Sequence, residues 1–152
     1  PESAIDVLSR AIVKLKDQPF PAEITAPVAD FMDHAGPEMP FMQKLAFANR
    51  WLLSSMIIGV FEGSGSGNAM VRTTTAPTII SAGIKENVIP YEAKATVNFR
   101  ILPGTSIAQV KAHVAETIAD DRIQIIEGNF SSEAQQSSPT TYRMIIDAKT
   151  QD

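Results

Sequence analysis

The 152-residue chain contains no cysteine and only two histidines. Without a thiol there is no disulfide framework, no thiolate zinc site and no cysteine nucleophile, and the redox compartment cannot be read. The two histidines, His34 and His113, stand about 80 positions apart, whereas a hydrolytic metal centre needs several convergent imidazole and carboxylate ligands. A self-contained metal site is therefore not expected. Basic charge is also scarce: thirteen Lys and Arg against seventeen Asp and Glu leave a net charge of -4, the wrong sign for a nucleic-acid binder. Long apolar runs are lacking as well. The most apolar stretch, 51–61 (WLLSSMIIGVF), covers about half of the roughly 20 residues needed to cross a bilayer. It reads as a buried helix or a contact surface, with no membrane partner. The N-terminal residues lack the apolar core and cleavage site of a signal peptide and begin without Met. The expectation is a chain that starts inside a larger, cytoplasmic protein.

What is present describes a globular chain: 44% hydrophobic and 20% charged residues, with mean hydropathy near zero. The length suits one domain, or one domain with a sizeable insertion. Ile5, Leu8, Ile12 and Leu15 form an apolar stripe at helical spacing, with Ser3 as N-cap, predicting a helix over 3–17 that stops before Pro19 and Pro21. Over 20–62, prolines chop the first half, and a helical insertion is expected with a short helix over 26–34 and a longer one from Phe41 through Met56. Residues 63–68, GSGSGN, read as a flexible connector. Residues 69–80 are rich in β-branched side chains and strand-like, with Pro77 marking an edge, bulge or bend. The clearest strand covers 93–101, where Ala93, Ala95, Val97, Phe99 and Ile101 alternate with Lys94, Thr96, Asn98 and Arg100. Thr105 or Ser106 then caps a helix carrying Ile107, Val110, Val114 and Ile118 inward and His113 away from that stripe. A further strand is expected over 122–127, followed by a Ser/Gln-rich linker over 128–141 and a short apolar stretch over 142–146. This order belongs to the α+β class: an open-faced antiparallel sheet with two helices on one face, ferredoxin-like βαββαβ with its first strand missing, plus a helical insertion.

Several candidate chemistries reduce to ordinary structure. GSGSG lacks the Gly-Lys-Ser/Thr ending of a phosphate loop. Asp30, Asp33, His34 and Glu38 are ligand types, but nothing else in the chain supplies a convincing third ligand, and a solvated helix end accounts for them. No GxSxG elbow is present. The more specific cluster is RTTTAPT at 72–78, GIKENVIP at 83–90 and VNFRILPG at 97–104. An Asn in a turn between strands can present its amide to a carbonyl or oxyanion, and Arg100 offers a planar fork suited to a carboxylate. Thr96, Asn98 and Arg100 share one strand face and form a polar surface able to take an anion. A solvent-facing sheet with a turn Asn is the competing reading.

These three segments, in this order and spacing, resemble the lid, or dimerisation, domain of the two-zinc aminoacylase and carboxypeptidase family (metallopeptidase family twenty). The likeness is to its carboxypeptidase-S and N-acyl-amino-acid hydrolase branch. It covers roughly residues 1–130, leaving 131–152 as linker and return toward a catalytic domain. The resemblance implies a lid-domain part of a zinc-dependent hydrolase of peptides or N-acyl amino acids, inactive alone. Two zinc ions would be held by a separate catalytic domain, and the lid's own catalytic histidine would lie upstream of Pro1. Matched position by position, it implies substrate-binding roles for Asn87 and Arg100, with Gly83 letting the backbone pass close to the ligand. It also implies a homodimer, and a second reading has the Met-rich insertion (Met32, Met39, Met42, Met56) and exposed sheet edges mediating self-association. A standalone ferredoxin-like interaction or small-molecule binding module is the third alternative.

Overall fold

The computed structural model describes residues 2–128; the linker and apolar stretch expected beyond 128 lie outside the described residues. Helix α1 (Ala4–Asp17) starts at a reciprocal capping box. Ser3 accepts from the Asp6 amide, and Asp6 accepts from the Ser3 amide at 2.8 Å. Four helices follow: α2 (Ala26–Ala35), α3 (Phe41–Ala48), α4 (Arg50–Glu62) and α5 (Gly65–Val71), with a 3-10 turn at Gly36–Glu38. Strands β1 (Thr74–Ala82) and β2 (Ala93–Arg100) then pair antiparallel, and α6 (Ile107–Ile118) begins at a second capping box between Ser106 and Gln109. The result is an α+β fold with α1 and α6 packed together against one face of an open ribbon.

Two apolar clusters hold it together. Ala11, Leu15, Phe20, Val110, Val114 and Ile118 fill the space between α1 and α6, with Phe99 and Ile101 packed from the ribbon. Val28, Met32, Ala46 and Ile57 form a separate core inside the helical insertion. The two are joined where the Glu23 amide donates to the Val71 carbonyl and the Leu102 amide donates to buried Thr73.

Several expectations are corrected. The single helix expected from Phe41 through Met56 is two, because Asn49 leaves helical geometry (φ -113°, ψ 31°) while its side-chain amide donates to the Leu45 carbonyl. The GSGSGN segment is no flexible connector: Ser64 caps α5 by accepting from the Gly67 amide at 3.1 Å. Helix α5 also takes Ala69, Met70 and Val71, so β1 starts at Thr74. Pro77 does mark a bulge, since the pairing steps from Pro77↔Val97 to Ile79↔Thr96 and leaves Thr78 over. Residues 122–127 pair with no strand, although Ile123 and Ile125 pack onto the main core as their alternation implies. In a βαββαβ sheet the first strand lies between the third and fourth. Among the described residues no strand precedes α1, so 122–127 has no ladder beside it.

Candidate functional site

The connection from β1 to β2 builds one end of the candidate site. Gly83 takes φ +72°, a left-handed conformation that glycine adopts without penalty. A Cβ there would meet the Pro90 side chain only at 3.9 Å, so backbone conformation is what requires glycine. A turn follows in which the Val88 amide donates to the Lys85 carbonyl at 3.3 Å, placing Asn87 at an exposed corner. This loop leans on the start of α1, where the Ala4 amide reaches the Pro90 carbonyl. Between them lies an open cleft of about 940 Å³ lined by Ser3, Asp6, Gly83 and Asn87 among others.

Arg100 lies at the other end of the ribbon, where it pairs with Thr74 across from β1. Seven residue steps along β2 separate it from Ala93, a span of about 23 Å. Helix α1 supplies a second ruler. Its first residue touches the Asn87 loop, while Phe20, just beyond its last turn, packs edge-on against Phe99 with ring centroids 6.0 Å apart. Fourteen helical residues cover about 21 Å. The structure therefore does not bring Asn87 and Arg100 together within one chain. Thr96, Asn98 and Arg100 do share the exposed face of β2.

Electrostatics single out Arg100. Among the described residues Arg10 pairs with Glu2, Arg50 with Asp33, Arg72 with Glu62, and Arg122 with both Glu2 and Asp120. Arg100 has no carboxylate partner among them. The Arg122 hydrogen bonds hold the Glu2 and Asp120 carboxyls below the usual carboxylate range, and Arg10 adds to the effect on Glu2. Hydrogen bonds from Ser3 lower Asp6 in the same way.

The acidic cluster of the insertion is committed to local structure. Asp33 is bound by Arg50, and the His34 ring Nδ1 sits 2.7 Å from the Asp30 backbone carbonyl. Among the described residues no group of three or more His, Asp or Glu is placed to hold a metal ion. His113 does not simply point away. Its ring stacks on Phe20 with centroids 4.0 Å apart, and its Nε2 lies 3.3 Å from the Gln18 carbonyl.

One feature of the surface exceeds the sequence reading. Helix α4 buries Ile57 but leaves Trp51, Leu52, Met56 and Val60 exposed, and α3 exposes Phe41, Met42 and Leu45. The signal was the uncharged, mostly apolar run over 51–61, with too many apolar residues for one buried stripe. Of the methionines expected to mediate contacts, Met32 is instead 1% exposed, in the insertion core.

Together these features define an α+β accessory domain that carries an unpaired cation and apolar surface and has no metal cluster among its described residues. A model of the peptidase dimerisation domain matches residues 2–125, and the chain belongs to that family. It is 40% identical over 125 residues to an N-fatty-acyl-amino acid synthase/hydrolase of Xenopus tropicalis, covering 82% of this chain and 24% of that protein. A carboxypeptidase S-like protein of Dictyostelium discoideum is 40% identical over 141 residues, covering 92% and 27%. The human N-fatty-acyl-amino acid synthase/hydrolase is 38% identical over 124 residues, covering 81% and 25%. The chain thus spans about a quarter of the length of these relatives. No solved structure matches.

Proposed function

We propose that this domain serves as the lid and homodimer contact of a zinc-dependent amidohydrolase that cleaves peptides or N-acyl amino acids. In this reading Arg100 receives the substrate carboxylate and Asn87 presents its amide to the scissile carbonyl or the oxyanion formed from it. The observation that carries the proposal is the unpaired guanidinium of Arg100 on an open strand face, when every other arginine among the described residues holds a carboxylate. A planar fork without an internal partner is free to take an external carboxylate in two parallel hydrogen bonds.

Among the described residues no group is placed to hold a metal ion; in this reading two metal ions and the attacking water are supplied by a catalytic domain of the parent protein. This domain contributes binding and orientation. Because Asn87 and Arg100 stand at opposite ends of the ribbon, they serve different active sites, and Asn87 reaches the site of the second subunit. The side chains exposed around that loop, Ile84 at 90%, Ile89 at 81% and Tyr91 at 97%, support a subunit contact there.

The test is steady-state hydrolysis of N-acyl amino acids by the parent protein. Arg100→Ala should raise KM for substrates with a free carboxylate and leave amides of the same compounds unaffected. Equal kinetics with both substrate types in the variant and the unaltered enzyme would refute the assignment.

A further inference from the structure

Helix α4 is apolar on more sides than the insertion can bury. Leu53, Ile57 and Phe61 face the insertion core, while Leu52, Met56 and Val60 recur every four residues along an exposed side, a ridge about 12 Å long. From Trp51 to Phe61 there is no charged side chain. Ser55 and Gly59 run beside the ridge, and a Cβ on Gly59 would meet nothing within 4 Å, so a shallow groove lies open next to it. Trp51 extends the face at the start of α4, and α3 flanks it with Phe41, Met42 and Leu45. The insertion core is complete without these groups, since Met32 and Ile57 are 1% and 3% exposed. A helix that is apolar nearly all round is normally covered nearly all round.

We propose that a second copy of this chain covers the face, with α4 crossing α4 antiparallel about a two-fold axis at Met56. Shape favours this occupant: ridge and groove lie side by side on one helix, so a two-fold rotation seats each ridge in the groove of the other copy. Area agrees. The exposed parts of the named α3 and α4 side chains amount to on the order of 900 Å², close to the roughly 800 Å² that each partner gives to a standard-size interface. Charge agrees as well. The one charged side chain of α3 is Lys44, exposed and without a carboxylate partner among the described residues. Helix α3 meets the N-terminal end of α4 at Asn49. An antiparallel crossing therefore turns Lys44 toward the C-terminal end of the other α4, where the helix dipole and Glu62 are negative. A lipid surface is the poorer occupant, because such binding draws on several basic residues flanking the apolar face. Here Arg50 is held by Asp33, Lys44 stands alone, and the chain's net charge is -4. This contact is separate from the hairpin-end contact proposed above, and the two together link dimers into pairs.

Trp51 is the chain's only tryptophan and is 79% exposed, so its fluorescence reads this face directly. The test follows Trp51 emission and sedimentation mass of the 152-residue chain from about 1 to about 500 μM, the weak end for an interface of this area. Emission should move to the blue as mass rises, and Ile84→Asp should not prevent it. The two-fold axis sets Met56 of one copy against Met56 of the other. Met56→Lys alone and Met56→Glu alone should therefore lose the shift, whereas their equal mixture should associate and regain it. Should either charged variant fail to fold by circular dichroism, the concentration series on the unaltered protein still decides. Emission independent of concentration overturns the proposal, and so does a mixture of the two folded variants that stays unshifted. A blue shift produced by phosphatidylcholine vesicles but not by protein concentration assigns the face to lipid and also overturns it. If Ile84→Asp lowers the mass while Trp51 never shifts, this proposal falls and the hairpin-end contact stands; if Trp51 shifts with concentration and Ile84→Asp changes nothing, the hairpin-end contact falls and this one stands.

Discussion

Asn87 and Arg100 lie at opposite ends of one β-hairpin, with α1 running the length between them: Ala4 touches the Asn87 loop and Phe20 touches Phe99, the neighbour of Arg100. A single carboxylate is a few ångströms across, so one substrate cannot engage both groups of one chain. Arg100→Ala in the parent should cost about 10- to 100-fold in kcat/KM, the worth of a charge-assisted hydrogen-bond pair, and Arg100→Lys should recover only part of it. Steady-state kinetics on carboxylate and amide substrates measures both.

The Glu2, Asp120 and Arg122 network predicts acid sensitivity. Depressed carboxyl pKa values in the folded state mean that the unfolded chain binds protons first as pH falls. The associated stability is therefore complete above the ordinary carboxylate pKa and is lost on moving below about pH 4. Urea midpoints across pH 2.5–7 should fall in that window, and less steeply in Arg122→Ala. Equal slopes in the two proteins would remove the network from the explanation.

Gly67 predicts a steric effect. A Cβ on it would stand 2.4 Å from the Phe61 carbonyl oxygen and 2.7 Å from Ser64 Oγ. The first of these is backbone and cannot swing aside, so Gly67→Ala should destabilise the domain by about 1–3 kcal/mol. Gly59 in α4 has nothing within 4 Å of its added Cβ, and Gly59→Ala should stabilise by about 0.5–1 kcal/mol. Denaturant titration of the two variants gives opposite signs if the close α4 to α5 approach is as described.

Self-association through the hairpin end predicts that Ile84→Asp and Ile89→Asp shift the protein toward monomer. Both side chains are exposed, so thermal stability of the subunit should change little. Light scattering after size exclusion reports the mass, and an unchanged dimer would move the contact elsewhere.

Where local rules act alone, the sequence was readable. Ser3 with Asp6 and Ser106 with Gln109 are capping boxes with their signature spacing, and the strict alternation from Ala93 to Arg100 became a strand with one packed face. Reading failed where neighbours decide. Ile123 and Ile125 alternate as a strand does, yet a strand needs a partner, and the position beside them holds none among the described residues. GSGSGN has the composition of a linker, but Ser64 turns it into a helix start because α4 lies close enough to demand glycine at 67. For the site, residue types and turn position were legible at Asn87 and Arg100. Their separation was not, since it follows from hairpin register and the length of α1.

In the proposed function, Arg100 and Asn87 of one chain serve two active sites of a dimer. The test is to mix parent enzyme carrying Arg100→Ala with enzyme carrying Asn87→Ala, each strongly impaired in kcat/KM alone. Subunit exchange then pairs an intact Arg100 with an intact Asn87 at one of the two sites of each mixed dimer. Activity should return to about a quarter of the unaltered level at equal mixing. No recovery, with mixed dimers verified by mass spectrometry, would contradict it.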